Sequence, residues 1–339
     1  VELVYFKQML SIICPIYNEE KYITGCIKSI LKQDYPKDDW EVLFVDGMST
    51  DRTREIVRDY CRNYDFIRLI DNPQKTVPHA MNKGIAAAIG NIIIRLDAHA
   101  LYKDDYCSVL TRQLKALGAD NVGAVCKTDV LNKTLKTLAI REVLSNKFGV
   151  GNAVFRVGTD RAMEVDTVPF GCWRRDVFDK YGLYDIRLVR NQDIELNKRI
   201  LRGGGKIYIV PDTYCVYLAR ETFKALSLNC FQNGKWNILT VYYTKQFDSL
   251  SLRHFVPMLF VCSLLIPLFI GIFYPEAMYV SLVSMGLYVL LLMLVCSKLA
   301  LKKNLSLFYL LGSFMVLHFS YGCGSIAGLW CVLWGKSNK

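Results

Sequence analysis

Asp97 and His99 are two side chains that could bind a cation, and they stand one residue apart. They follow Ile-Ile-Ile-Arg-Leu at residues 92–96, an apolar run rich in β-branched residues that is typical of a short buried strand. In open α/β sheets ligands bind outside the carboxyl ends of the strands, where these two residues are expected. A carboxylate suits hard ions such as Mg²⁺ or Mn²⁺, and an imidazole shifts the preference toward transition metals. A two-residue motif is weak on its own, and the alternative is that Asp97 starts a turn beside a solvated His99.

The elements around this pair alternate between strand and helix. Apolar runs predict strands at residues 9–14, 40–45, 66–70 and 91–96. The segments between them predict helices, and the alternation predicts a parallel sheet with helices on both faces. Asp46 ends the second strand as Asp97 ends the fourth, so both carboxylates should meet at one edge of the sheet. Because no Gly-rich phosphate loop follows the first strand, a dinucleotide oxidoreductase and a P-loop ATPase are disfavoured.

A further carboxylate with a possible catalytic role lies in the segment Asn-Gln-Asp-Ile-Glu-Leu-Asn at residues 191–197. Its pattern predicts a helix with Asp193 in the first turn. An ionised carboxylate within hydrogen-bond reach of a hydroxyl can remove its proton. The competing interpretation is that Asp193 only complements the helix dipole. Glu195 is the alternative base.

The composition divides the chain into a normally charged part and, after about residue 254, an almost continuously apolar part. The net charge of +11 alone would favour nucleic-acid binding. Basic residues beside membrane spans explain it better, and the chain has no nucleic-acid motif, so no nucleic-acid partner is predicted. The 12 cysteines include no Cys-x-x-Cys pair, which disfavours a disulfide framework or a zinc site and favours a reducing cytosol.

The apolar part predicts a membrane anchor. Residues 255–274 and 277–296 each supply the roughly 20 apolar residues that a span requires. Residues 305–334 are compatible with one tilted span or with a span and a re-entrant segment, because His318 and several glycines interrupt them. His318 is either a lipid-diphosphate contact or a packed interhelical hydrogen bonder.

Lysines set the expected orientation of this anchor. Lys298, Lys302 and Lys303 follow the second span and predict a cytoplasmic loop there, while Lys336 and Lys339 argue against an external C-terminus. The first ten residues do not resemble a signal peptide, so the catalytic part is expected in the cytoplasm.

Four segments, in this order, resemble the nucleotide-sugar half of inverting family 2 glycosyltransferases. They are Cys-Pro-Ile-Tyr-Asn-Glu-Glu at 14–20, Val-Asp-Gly-Met-Ser-Thr-Asp at 45–51, Asn-Lys-Gly at 82–84 and Asp-Ala-His at 97–99. The resemblance covers about residues 10–240. It implies a GT-A fold, a Rossmann-like parallel or mixed sheet with helices on both faces, here followed by C-terminal transmembrane helices.

The resemblance also implies roles for the donor residues. Pro15, Tyr17 and Glu19 would line the nucleoside pocket, Asp46 would accept a hydrogen bond from uracil, and Asp97 would hold a Mg²⁺ or Mn²⁺ ion on the diphosphate. Most members carry a second Asp at the third position of the metal motif. Here that position is His99, as in members resembling the succinoglycan glucosyltransferases.

On the acceptor side the resemblance identifies Asp193 as the base, with Gln192 in place of the family's Glu. Gln-Asn-Gly-Lys-Trp at residues 232–236 resembles the Gln-x-x-Arg-Trp motif of membrane polysaccharide synthases, with Lys235 replacing Arg and Trp236 closing over the acceptor. The predicted acceptor and diphosphate contacts are Trp173, Gln192, Arg220, Gln232, Lys235 and Trp236. A basic amphipathic helix lying on the bilayer is an equal alternative for residues 232–236.

These features predict a cytoplasmic GT-A catalytic domain over residues 1–218, amphipathic or interfacial helices over 219–253 and a transmembrane anchor over 254–339. The resemblance implies a hexosyltransferase of a bacterial plasma membrane that uses a nucleotide-diphosphate sugar, UDP-linked, in capsule or exopolysaccharide synthesis. The implied partners are that donor, a polyprenyl-diphosphate-linked glycan acceptor and membrane lipid. Whether the chain forms a homo-oligomer stays open.

Two alternatives to single transfer stay open. A processive polysaccharide synthase is favoured by the motif at residues 232–236. A catalytically silent, membrane-bound nucleotide-sugar-binding module is permitted by the departures at His99, Gln192 and Lys235.

Overall fold

The computed structural model describes residues 9–247 and 254–334, and these form two compact units. Unit 1 contains the described residues up to Lys127 together with Gly158–Leu218. Unit 2 contains Thr128–Val157 and the described residues from Ala219 onward. The sequence predicts one continuous catalytic domain over residues 1–218, whereas the contacts assign Thr128–Val157 to unit 2.

The strands are β1 (Leu10–Ile16), β2 (Trp40–Asp46), β3 (Ile67–Asp71), β4 (Ile92–Arg95), β5 (Ala100–Tyr102), β6 (Asn121–Asp129), β7 (Met163–Glu164), β8 (Cys172–Arg174) and β9 (Ile207–Leu218). The helices are α1 (Ile23–Leu31), α2 (Thr53–Asn63), α3 (Val77–Ala87), α4 (Tyr106–Ala116), α5 (Leu135–Val143), α6 (Lys147–Val150), α7 (Val154–Val157), α8 (Asp176–Tyr181), α9 (Gln192–Arg202), α10 (Phe223–Thr244), α11 (Val256–Ile270), α12 (Met278–Lys303) and α13 (Leu307–Leu333).

Within the described ranges, nine strands form one mixed sheet in the order β3-β2-β1-β4-β8-β6-β9-β5, with β7 paired to β9. β3, β2, β1 and β4 run parallel, while β8 is antiparallel to both β4 and β6. β1, β2 and β4 are buried along nearly their whole length, as expected for strands covered by helices on both faces. The parallel register brings the carboxyl ends of β1, β2 and β4 to the same edge, so the loops that follow them can share a site.

Unit 2 is largely helical, and two of its long helices, α10 and α13, approach each other closely at glycines. A Cβ atom on Gly234 would lie 2.0 Å from the carbonyl oxygen of Tyr321, and one on Gly324 would lie 2.0 Å from that of Phe231. Small residues that let helix backbones approach are common where helices pack within membranes. This packing places the centre of the 232–236 motif against α13.

Two helical segments of unit 2, Pro275–Lys303 and Leu307–Leu333, are long and apolar enough to cross a membrane. α11 is shorter, with 15 residues. α13 continues unbroken through His318 and the following glycines, so the third apolar segment is one helix of 27 residues rather than a span followed by a re-entrant turn. At 1.5 Å per residue it is about 40 Å long. Lys336 and Lys339 lie outside the described residues.

α5 packs on this helical unit through its apolar face. Ala139, Ile140 and Val143 are fully buried, in a cluster that also contains Leu310 and Phe314 of α13. This burial is the physical reason why Thr128–Val157 joins unit 2.

Two polar contacts accompany the packing of α5 and the residues after it. Lys303, the last residue of α12, donates to both oxygens of the buried Glu142 carboxylate at 2.8 and 2.9 Å. The ring nitrogens of His318 lie 3.0 Å from the Phe148 carbonyl oxygen and 3.2 Å from the Tyr288 hydroxyl. His318 therefore makes the packed hydrogen bonds that the sequence left as one of two possibilities.

Candidate active site

The loops that follow β1 and β2 are joined by hydrogen bonds. Asn18 adopts a left-handed backbone conformation, with φ of 54°. Its N–H donates to Ser49 Oγ at 2.9 Å, and its Oδ1 accepts from the Thr50 N–H at 2.8 Å. The Glu19 N–H donates to Thr53 Oγ1 at 2.7 Å, which ties the same loop to the first turn of α2. These bonds fix the loops around a cavity at the carboxyl edge of the sheet.

The cavity has a volume of about 120 Å³. It is lined by Pro15, Ile16, Tyr17, Glu19, Gly47, Asn72, Lys75, Thr76, Val77, Ala80, Arg95, Asp97 and His99. Every predicted donor and metal residue except Asp46 lies in this lining. Lys75, Thr76, Asn72 and Arg95 are additional polar residues that the sequence did not assign to the site.

Asp46 does not line the cavity, but it directly precedes the lining residue Gly47. Its side chain is fully buried and accepts hydrogen bonds from the Ser49 N–H at 3.0 Å and from Ser49 Oγ at 2.5 Å. Arg54 Nη1 pairs with the same carboxylate at 2.5 Å, and Arg54 Nη2 reaches Asp71 at 2.7 Å. Asp46 thus organises the loop that borders the pocket, and its contact with a nucleobase stays a prediction.

The centre of the site is a buried arginine between two aspartates. Arg95 Nε and Nη2 donate to Asp97 at 2.9 and 3.3 Å, and Arg95 Nη1 donates to Asp193 Oδ1. Arg95 and Asp97 can meet because alternate residues of an extended chain point the same way. The structure therefore connects the predicted metal residue to the predicted base through Arg95, which lies 98 positions from Asp193 in the chain.

Burial and charge act on the ionisation of these groups. Burial raises the pKa of Asp193, and the nearby Asp97 charge adds to this, while Arg95 lowers it in part. Burial alone would lower the pKa of Arg95, but the charges of Asp193 and Asp97 outweigh it and keep the guanidinium protonated. Glu195, the alternative base, accepts from Arg199 at 2.7 and 3.0 Å, so its carboxylate has a structural partner.

The donor set in the cavity fits a hard divalent cation. Asp97 supplies a carboxylate and His99 an imidazole, and His99 Nδ1 lies 3.2 Å from Glu19 Oε1. The other Glu19 oxygen, Oε2, is buried and has no hydrogen-bond partner among the described residues. Over the same residues, no group of three or more His, Cys, Asp or Glu side chains could hold a metal alone. Mg²⁺ commonly binds one or two carboxylates and completes its shell with substrate phosphates and waters, so these residues suffice for a substrate-bridged ion.

The predicted acceptor residues are divided between the two units. In unit 1, Trp173 of β8 is 2% exposed and packs against Phe178 and Tyr184, and Gln192 begins α9 with a buried Oε1 that has no partner among the described residues. Arg220 is exposed in unit 2, before α10. Gln232, Lys235 and Trp236 lie on α10.

Trp236 itself packs inside unit 2. It is 5% exposed and stacks on Tyr243 with ring centroids 6.5 Å apart. The acceptor roles of all these residues stay predictions.

A family profile, curated relatives and solved structures match this chain. The sequence profile described as "Glycosyl transferase family 2" matches residues 11–182. Over 220 residues the chain is 28% identical to a dolichyl N-acetyl-α-D-glucosaminyl phosphate 3-β-D-2,3-diacetamido-2,3-dideoxy-β-D-glucuronosyltransferase of Methanococcus voltae, covering 63% of this chain and 68% of that protein. It is 30% identical over 235 residues to the succinoglycan biosynthesis protein ExoA of Rhizobium meliloti, covering 66% and 67%.

Solved structures show the same fold. The mannosyltransferase PcManGT from Pyrobaculum calidifontis, in complex with GDP-Man and Mn²⁺, aligns with a TM-score of 0.59 at 17% identity, over 96% of this chain and 88% of that one. Residues 1–349 of TarS from Staphylococcus aureus, in complex with UDP-GlcNAc, align with a TM-score of 0.52 at 17% identity, over 95% and 92%. At this identity the likeness concerns the fold alone.

Proposed function

This chain belongs to glycosyl transferase family 2, has the GT-A fold and is a hexosyltransferase, and from that premise we propose its reaction. We propose that it transfers a hexose from a UDP-linked sugar to a hydroxyl of a lipid-linked glycan, with inversion at the anomeric carbon. The observation that carries the proposal is the cluster of Asp97, Arg95 and Asp193 beside the cavity lined by Tyr17 and Glu19.

The residues support a single displacement. Asp193 accepts the proton of the acceptor hydroxyl as that oxygen forms a bond to the anomeric carbon. The bond between the anomeric carbon and the diphosphate oxygen breaks on the opposite face, and its electron pair leaves with the nucleotide. Asp193 suits this role because its side chain is 28% exposed, so the carboxylate is held by Arg95 without being sealed from an acceptor.

Asp97 and His99 would hold the divalent cation, with Glu19 beside them. When bound, such a cation offsets the negative charge that develops on the departing diphosphate. Tyr102 supports this position, because its hydroxyl accepts from the Asp97 N–H at 2.7 Å and donates to the Asp97 carbonyl at 3.1 Å. The Mn²⁺ in the complex of the Pyrobaculum mannosyltransferase supports a cation of this class.

A lipid-linked acceptor is supported by the apolar helices and by the relatives. Two helical segments of unit 2 are long enough to span a membrane, and an acceptor confined to the bilayer requires an enzyme that is held there. The Methanococcus relative is named for a dolichyl-phosphate-linked acceptor, and ExoA for succinoglycan synthesis. We therefore place the chain in the assembly of a surface polysaccharide at the plasma membrane, with unit 1 in the cytoplasm.

Nucleotide release tests the proposal. Purified full-length protein in detergent, with a lipid-linked glycan extract, would be given UDP-, GDP- and dTDP-sugars and Mn²⁺ or Mg²⁺. Asp97→Ala and Asp193→Asn would be compared with Asp179→Asn, which changes an exposed aspartate of α8. We expect release from a UDP-sugar that both site variants lose and Asp179→Asn retains.

Other outcomes would reject this function. If the wild type releases no nucleotide from any donor, the result would favour a nucleotide-sugar-binding module. Release only from a GDP- or dTDP-sugar would reject the uridine donor. A ladder of long products from one acceptor would identify a processive synthase instead of a single transfer.

A further inference from the structure

One buried arginine joins the two carboxylates that the proposed reaction uses. Arg95 donates to both oxygens of Asp97 and, through Nη1, to Asp193 Oδ1. Its side chain is only 6% exposed. A charge this deep is costly to bury unless it is compensated, and both compensating charges belong to the candidate active site.

We propose that Arg95 is a positioning residue that couples the cation side of the site to the general base. The inference rests on the proposed function, because it takes Asp97 as a cation ligand and Asp193 as the base. The guanidinium is a rigid planar fork, so its contact with Asp97 fixes the direction in which Nη1 reaches Asp193. The base is thereby oriented by a residue of β4 rather than by its own helix, α9.

The same fork competes with a cation for Asp97. Oδ1 of Asp97 accepts from Nε and Oδ2 accepts from Nη2, so both oxygens already face a positive charge. A divalent cation must share these oxygens with the guanidinium and is repelled by it. Removing Arg95 should therefore strengthen cation binding at Asp97 and, at the same time, release Asp193. A merely structural arginine would weaken both properties when removed, because its loss would only loosen the site.

The test measures these two properties separately in the full-length protein. Mn²⁺ alone would be titrated into the wild type, Arg95→Met and Arg95→Lys and followed by electron paramagnetic resonance, with no nucleotide and no turnover. In Arg95→Met we expect the Kd for Mn²⁺ to fall roughly tenfold, since an opposite charge beside a carboxylate shifts its affinity for a cation by about that factor or more. We expect kcat for transfer to fall at least about tenfold, as a general base contributes more than that. Arg95→Lys keeps the charge but not the fork, so it should recover part of kcat while its Mn²⁺ affinity stays near that of the wild type.

Arg174→Met is the matched control. Arg174 also joins two aspartates, Asp120 at 3.1 Å and Asp176 at 3.2 Å, but it does not line the cavity. This variant should keep the Mn²⁺ affinity and kcat of the wild type.

The failures of this inference and of the proposed function are distinguishable. If Arg95→Met weakens Mn²⁺ binding in step with a lower melting temperature, Arg95 is only structural. If it changes neither Mn²⁺ affinity nor kcat, Arg95 does not couple the two carboxylates. In both cases transfer by the wild type still supports the proposed function. If neither the wild type nor the Arg95 variants bind Mn²⁺, the proposed coupling role of Arg95 is rejected. If the wild type also releases no nucleotide, the proposed function is rejected as well.

Discussion

At the scale of single residues, the ionisation of Asp193 determines when the proposed base can act. Its pKa is raised by burial and by the Asp97 charge and is lowered in part by Arg95. Because a base must be ionised, the rate should fall as the pH drops through this raised pKa, so the acidic limb of kcat/KM should lie above the ordinary aspartate value of 3.8. Loss of the Arg95 charge should move that limb to still higher pH.

A pH profile of kcat/KM for the wild type and Arg95→Met checks this prediction. Arg174→Met should keep the wild-type profile. An acidic limb that does not move in Arg95→Met would mean that Asp193 is not the titrating base.

Arg54 gives a second prediction at this scale, concerning stability. Asp46 is fully buried, and Arg54, with a side chain 17% exposed, pairs with it and with Asp71. Arg54→Met leaves the Asp46 charge buried with only the Ser49 hydrogen bonds, and breaking such a pair typically costs about 3–5 kcal/mol.

The melting temperature in detergent measures this loss of stability. Arg62→Met is the control, because the Arg62–Asp59 pair is mostly exposed and such pairs contribute about 0–1 kcal/mol. Equal melting temperatures for the two variants would show that the Arg54 pair is not needed.

The residues of the site were predicted unevenly. Pro15 lies near the end of β1, and Tyr17, Glu19, Asp97 and His99 follow strand ends. All five belong to sequence motifs, and all five line the cavity. Arg95 was missed as a site residue because its partner Asp193 is 98 positions away, and only the folded chain brings them together. The available signal was the single charged residue, Arg95, in the apolar strand β4. A buried arginine requires a buried counter-charge.

At the scale of elements, continuous apolar runs identified β1, β2 and β4, since these strands are buried on both faces. β5 and β8 have three residues each and were not predicted. Residues 168–175 predict a turn leading into a helix, whereas Cys172–Arg174 form β8 between β4 and β6. Strands this short carry no readable periodicity, and their pairing depends on partners far along the chain.

The packing of α10 against α13 gives a prediction at this scale. A Cβ atom on Gly234 or Gly324 would lie 2.0 Å from a backbone carbonyl oxygen of the facing helix, so the helices must separate to accept a methyl group. Overpacking of this kind costs about 1–3 kcal/mol. Gly234→Ala and Gly324→Ala should therefore lower the melting temperature in detergent.

Gly286→Ala is the control for these substitutions. Gly286 lies in α12, and a Cβ atom there would meet no heavy atom within 4 Å. Because alanine is favoured over glycine in a helix by about 1 kcal/mol, this variant should melt at or above the wild-type temperature. If all three variants melt alike, the close approach of α10 and α13 is not maintained in solution.

At the scale of the whole molecule, the two units are interleaved in the sequence. Unit 2 takes Thr128–Val157 from the middle of the chain, although motif order alone suggests that everything before residue 218 folds together. The sequence of this segment has weak periodicity and contains two glycines, Gly149 and Gly151, so its partner could not be inferred from it. The partner is α13, whose apolar residues cover α5.

A fragment of residues 1–218 should therefore associate without detergent. In the whole chain Ile140 and Val143 of α5 are 0% exposed, and burying each such side chain stabilises by about 1.5–3 kcal/mol. The fragment lacks α12 and α13, so these side chains would contact water or another copy. Light scattering after size-exclusion chromatography should detect oligomers, and the fragment with Ile140→Gln and Val143→Gln should remain dispersed. Leu135→Gln is the control, since Leu135 is 60% exposed in the whole chain and its replacement should not restore dispersion. A dispersed unmodified fragment would mean that α5 can bury its apolar face without α13, and unit 1 and Thr128–Val157 would then form one domain.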